Sequence, residues 1–190
     1  MNLVVRMLIT LTIVGVVSGG VLNSIWDWAD PLIKENARIE TEKAIKVVQP
    51  ETITREKIET DVMEVYKVFD QEKNLIGYAA VAVGNGFQGK IKLMFGVKPN
   101  LKELVNLTVL EQSETPGLGT EVTQKEKFTD QFKKLIANPL VGWVKEGGST
   151  KENEIQAKTG ATISSVALVD IVNVGLEQLR SIKELGGSNE

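Results

Sequence analysis

LIGYAAVAVGNGFQGKIKLMFGV, residues 75–97, decides the fold. Two runs rich in apolar and β-forming residues, LIGYAAVAV at 75–83 and KIKLMFGV at 90–97, flank a connection with glycines at 84, 86 and 89. Runs of this length bounded by turn residues predict strands. Working outward, VMEVYKVFD at 62–70 leads through the polar turn QEKN into the first run, and LVNLTVLEQ at 104–112 follows the second. Strands this close in sequence predict an antiparallel meander. From Thr120 to Ile136, Val122, Phe128, Phe132, Leu135 and Ile136 fall largely on one helical side, predicting an amphipathic helix that stops before Asn138-Pro139. A last helix is predicted from Thr162 through ISSVALVDIVNVGLEQLRSIKEL to Gly186 and Gly187. The predicted fold class is α+β, an antiparallel β-sheet with packed helices.

Ahead of this domain, Met7 to Trp26 runs MLITLTIVGVVSGGVLNSIW without a charge, close to the roughly 20 residues that cross about 30 Å of hydrocarbon as a helix. Arg6 precedes it, and Trp26, Asp27, Trp28 and Asp30 follow. That order predicts a single-pass transmembrane helix with its N-terminus in the cytoplasm and the domain on the outer, periplasmic face of a bacterial inner membrane. A cleaved signal peptide, with Ser18, Gly19 and Gly20 near its processing site, is the competing reading. Asp30 as cap and Pro31 as first residue predict a second helix that continues to Pro50, with Ile33, Ala37, Ala44, Ile45 and Val48 on its apolar side. The organisation expected is an anchor at 1–28, a helical stalk at 29–50 and one domain at 51–190.

Composition narrows the chemistry. The chain of 190 residues has no Cys and no His, which removes Cys-ligated clusters, the usual zinc sites, Ser-His-Asp triads and disulfides. Redox chemistry would have to be carried by an organic cofactor. A formal charge of -3 gives no footprint for nucleic acid. No catalytic residue and no metal site is predicted.

Three segments could carry chemistry. Gly84-Asn85-Gly86-Phe87-Gln88-Gly89 fits G-x-G-x-x-G, but strand-like KIKLMFGV follows where a dinucleotide fold needs a helix. A turn or bulge between strands is the reading that fits. Glu114-Thr115-Pro116-Gly117-Leu118-Gly119 joins a strand to a helix and could present amide groups and an exposed Leu118 to a flat ring, or be an ordinary connection. Thr159-Gly160-Ala161-Thr162-Ile163-Ser164-Ser165 opens the last helix, where free N–H groups and the helix dipole suit a phosphate. Spacing alone favours a simple N-cap there, from Thr159 or Thr162.

ETPGLG followed by TGATISS, with GNGFQGKI between two strands and one N-terminal anchor, resembles the FMN-binding domain shared by the G subunit of Rnf complexes and the NqrC subunit of sodium-pumping NADH:quinone oxidoreductase. The short chain suits the Rnf protein better. The resemblance implies an FMN-binding domain at 51–190 and an FMN joined by a phosphoester to Thr162, with Thr159, Gly160 and Ala161 completing the motif. It places Glu114, Thr115, Gly117, Leu118 and Gly119 beside the flavin, Leu118 against the ring, and Ser164 and Ser165 near the phosphate. The implied role is electron relay in a ferredoxin- and NAD-linked, ion-translocating complex. The implied partners are other membrane subunits, lipid, and a flavin transferase that installs FMN from FAD. One position departs from the family: Gln156 stands where D-A-x-T-G-A-T has an acid, so noncovalent FMN is a variant of the same reading. An NqrC-like protein, a stand-alone anchored FMN reductase and a flavin-free scaffold domain are the alternatives.

Overall fold

The computed structural model describes residues 2–123 and 128–182, and the chain forms two compact units divided between Glu42 and Lys43. A 46-residue helix, α1 (Leu3–Val48), contains all that is described of the first unit and the start of the second. No new helix starts at Asp30-Pro31. Pro31 lies inside α1, and Asp30 pairs with Lys34 at 2.7 Å rather than capping. Proline removes one helical N–H, a loss outweighed here by the strong helix formers that follow it.

Side chains along α1 change character at Asp27. Before it, the hydroxyls of Thr10, Thr12 and Ser24 donate back to the carbonyls of Arg6, Leu8 and Gly20, each at 2.9 Å, so these three are satisfied within the helix. After it, Lys34–Asp30, Arg38–Glu35 and Arg38–Glu42 form pairs one turn apart, the pattern of a helix surface facing water.

In the second unit five strands form an antiparallel sheet in sequence order: β1 (Thr54–Ile58), β2 (Val65–Phe69), β3 (Leu75–Asn85), β4 (Lys90–Val97) and β5 (Leu104–Gln112). The four predicted runs are β2 to β5. β1, TREKI, has four exposed residues out of five and no apolar alternation, so periodicity could not reveal it. β3 is buried on both faces, which accounts for its continuous apolar run. Tyr78, Ala80 and Ala82 face the main core, while Ala79 and Val81 face a smaller cluster with Ala44, Ile45 and Val48 from the last turns of α1. GNGFQG closes the β3–β4 hairpin, with Asn85 opposite Lys90 and the Gly86 N–H on the Gly89 carbonyl at 2.7 Å. No helix starts there, in agreement with the turn reading.

The main core lies between the sheet and α2 (Thr162–Ser181). Glycines allow the close approach: a Cβ on Gly84 would stand 2.4 Å from Ile171 Cγ1, and one on Gly175 would stand 2.8 Å from Phe95 Cε1. The predicted Thr120–Ile136 helix does not form. Two 3-10 turns, Gly119–Thr123 and Thr129–Phe132, stand in its place, while residues 124–127 of that prediction and the predicted end of α2 at Gly186 and Gly187 lie outside the described residues. Val122, Phe128, Phe132 and Leu135 are nevertheless buried as the pattern required. Residues 134–137 lie beside the start of β5 and its flank, with the Lys134 N–H on the Val105 carbonyl, the Ala137 N–H on that of Lys102 and an isolated bridge between Ile136 and Glu103. A short parallel pair, β6 (Gly142–Lys145) and β7 (Glu154–Ala157), leads into α2.

The end of α1 is locked into the sheet by Gln49, which is 3% exposed. Its Nε2 donates to the carbonyls of Tyr78 (3.2 Å) and Val97 (2.9 Å), and Asn106 Nδ2 donates to the Val47 carbonyl at 2.8 Å. Gly96 leaves the room, since a Cβ there would lie 2.3 Å from the Val48 carbonyl oxygen. Gln49→Leu leaves two buried carbonyls without this donor, so urea unfolding followed by far-UV circular dichroism should show a loss of about 1–3 kcal/mol.

Candidate cofactor site at the start of helix α2

Ala161 is the N-cap of α2, and no side chain caps the helix. The Thr162 hydroxyl donates to the Lys158 carbonyl at 3.3 Å, and the Thr159 N–H donates to Glu146 Oε2 at 2.8 Å. Neither threonine is therefore the simple cap that spacing allowed. The first turn keeps its N–H groups and its positive dipole end without a side-chain acceptor. Gly160, at φ +83°, has nothing within 4 Å of the place a Cβ would occupy, so the approach to Thr162 is open on that side.

Beside Thr162 runs an apolar groove of about 560 Å³, bounded by Val83, Gly84 and Asn85 at the end of β3, by Trp143 of β6, and by Ile163, Val166, Ala167, Asp170, Ile171 and Val174 of α2. Trp143 is 40% exposed and Ile163 61%. Of this wall the sequence reading singled out the glycine turn at its edge and Ile163 beside Thr162. The signal for the rest was a last helix apolar on more than its core face; Trp143 sits in a four-residue strand too short to stand out.

Glu114 ties the three candidate segments together. It is 5% exposed; Oε1 accepts the Gln88 N–H at 3.1 Å, and Oε2 accepts a very short bond from the Ser164 hydroxyl. Cβ atoms on Gly86 and Gly119 would each fall 2.4 Å from one of its carboxylate oxygens, so only glycine fits at either place. Burial pushes this carboxyl up, but the Ser164 hydroxyl and the N–H groups of Gln88, Gly89 and Phe87 outweigh it and hold it below the usual glutamate range.

The predicted site residues thus divide. Glu114, Gly119, Ser164 and Ser165 are buried and used within the protein, Ser165 donating to the Ala161 carbonyl at 2.8 Å and accepting the Lys158 N–H at 3.1 Å. Thr115 donates to Gln88 Oε1 at 2.5 Å. Gly117, at φ +76°, and Leu118, 53% exposed, form the open tip of ETPGLG. Thr162 and Gly160 face the accessible side of the helix start.

Residues 86–177 match the model of the FMN-binding domain, and the match takes in the second and third segments whole and the first from Gly86 onward. The G subunit of the ion-translocating oxidoreductase complex of Methanosarcina acetivorans is 28% identical over 183 residues, covering 92% of this chain and 93% of that one. The G subunit of the proton-translocating ferredoxin:NAD(+) oxidoreductase complex of Clostridium ljungdahlii is 38% identical over 104 residues, and its Na(+)-translocating counterpart in Acetobacterium woodii 32% over 128. Those alignments cover 55% and 65% of this chain but only 54% and 58% of the relatives. The fold is shared with the crystal structures of NqrC from Shewanella oneidensis (21% identity, 74% of each chain, TM-score 0.57) and of the C subunit of the Na(+)-translocating NADH-quinone reductase of Parabacteroides distasonis (24% identity, 70% of this chain and 74% of that one, TM-score 0.55).

The region that matches the FMN-binding domain model has surfaces that fit a phosphate-bearing flat ring. An uncapped helix start suits a phosphate, and an apolar groove with an accessible tryptophan adjoins it for a flat ring. Because the Glu114 carboxyl lies below the ordinary 4.5, its stabilising effect is present above that pH and lost as pH falls through its folded value. Ser164→Ala removes the hydroxyl and should cost about 1.5–3 kcal/mol at pH 7 as a lost bond to a buried charge. In urea unfolding, the gap to wild type should narrow as pH is lowered from 7 toward 4.

Proposed function

We propose that this chain is the membrane-anchored flavoprotein component of an Rnf-type, ion-translocating oxidoreductase, with FMN joined by a phosphoester to Thr162. The observation that carries the reading is the uncapped start of α2, open at Gly160 and adjoining the apolar groove, inside an FMN-binding domain. Relatives named as the G subunit of ferredoxin:NAD(+) oxidoreductase complexes support the Rnf assignment over an NqrC-type complex.

In this reading the first-turn N–H groups of α2 and Gly160 hold the phosphate, Thr162 Oγ1 is the covalent link, and Trp143 with Ile163 and Val166 orient the ring and keep water from it. Bound FMN supplies reversible one-electron chemistry that the side chains of a protein without Cys or His do not offer. The uncharged stretch Met7–Trp26 crosses the membrane, Arg6 stays on the cytoplasmic side, and the domain stands on the outer face. A covalent tether suits that location, since cofactor lost outside the cell is not recovered. The partners are the other membrane subunits of the complex and, during maturation, a flavin transferase.

Produced in a host that contains the transferase, the wild-type chain should give a fluorescent band on a denaturing gel and an intact mass raised by one FMN phosphoryl group. Thr162→Ala should abolish both signals, and Thr159→Ala should keep them. A dark wild-type band would refute the linkage.

A further inference from the structure

The Gln156 side chain is held at both of its polar atoms. Nε2 donates to the Gly148 carbonyl at 2.8 Å while Oε1 accepts the Gly147 N–H at 3.2 Å. A carboxylate could accept from Gly147 but could not donate to Gly148. Gln156 therefore pins the turn that follows β6, and at the start of that turn stands Glu146.

The Glu146 carboxylate reaches the loop before α2. Oε2 accepts the Thr159 N–H at 2.8 Å, Oε1 accepts Lys158 Nζ at 2.9 Å, and the Thr159 hydroxyl donates as well. From the other side Ser165 Oγ accepts the Lys158 N–H and donates to the Ala161 carbonyl. The loop Lys158–Ala161 is gripped on both sides, with left-handed Gly160 and the Thr162 hydroxyl left at its open face. An exposed ion pair adds little to global stability, so what this one does is local: it fixes the shape of four residues.

We propose that Glu146 is the positioning residue for flavin attachment, reaching from the turn that Gln156 pins and holding the Lys158–Gly160 loop so that Thr162 is presented to the transferase. This rests on the phosphoester reading above. In the attachment step the Thr162 oxygen bonds to the FMN phosphorus of FAD, the pyrophosphate P–O bond breaks, AMP leaves, and the hydroxyl proton is released. Glu146 makes no bond in that step; it lowers the entropy lost in bringing the hydroxyl to the phosphorus.

The test uses the full-length flavin-free chain in detergent with purified flavin transferase and FAD, and follows the initial rate of mass gain. Glu146→Gln should slow attachment by about ten-fold or more, with a melting midpoint equal to wild type, and Glu146→Asp should recover much of the rate. Equal rates for wild type and Glu146→Gln would overturn the proposal. So would a parallel loss of attachment and melting midpoint, which would make the role structural. A wild-type chain that gains no mass would instead overturn the phosphoester reading, and the proposal with it.

Discussion

The buried carboxylate of Glu114 is the constraint on which the site depends. A charge removed from water must be met by fixed donors, and here they come from the β3–β4 turn and from the Ser164 hydroxyl in the first turn of α2. Satisfying one side chain brings three loops distant in sequence to a common point. The same requirement dictates glycine at 86 and 119, where any Cβ would displace the carboxylate. Glu114 thus belongs to the frame of the site, while Gly117 and Leu118 of the same motif face outward.

Helix α2 serves two surfaces at once. Leu168, Val172, Leu176 and Leu179 fill the core against the sheet, and Ile163, Val166 and Val174 line the groove on another side. A groove wall built on a helix anchored in the core moves little, which is what an electron-transfer group needs if its distance to a partner is to stay fixed. The close contacts at Gly84 and Gly175 set how deeply that helix lies on the sheet, and therefore where its first turn ends up.

The meander was legible because each of the four runs β2 to β5 is dense in β-branched and apolar residues between turn signals. Its fifth strand was not, since TREKI is held by pairing with β2 and carries almost no buried side chain. Around Thr120–Ile136 the apolar spacing foretold burial but not conformation. The left-handed Lys134, at φ +56°, and the backbone bonds of residues 134–137 to β5 and its flank are tertiary effects that override local helical preference. Pro31 misled in the opposite sense, marking a helix start where the helix simply continues. At the site, motifs and resemblance pointed to Thr162 and its neighbours. The division into groups turned inward and groups left open, and the roles of Trp143 and Glu146, needed the fold, because partners such as Glu114 and Ser164 are 50 residues apart.

The two borders of the sheet are closed by different means. At the start of β5, the Leu104 N–H and the Val105 carbonyl are taken up by Leu135 and Lys134 of the same chain. Along β1 the outermost strand carries Arg55, Glu56 and Lys57 in succession, charges that discourage a second copy from adding its own strand. A charged border of this kind keeps two copies that collide from joining strand to strand, and so keeps the sheet at the width its own chain sets.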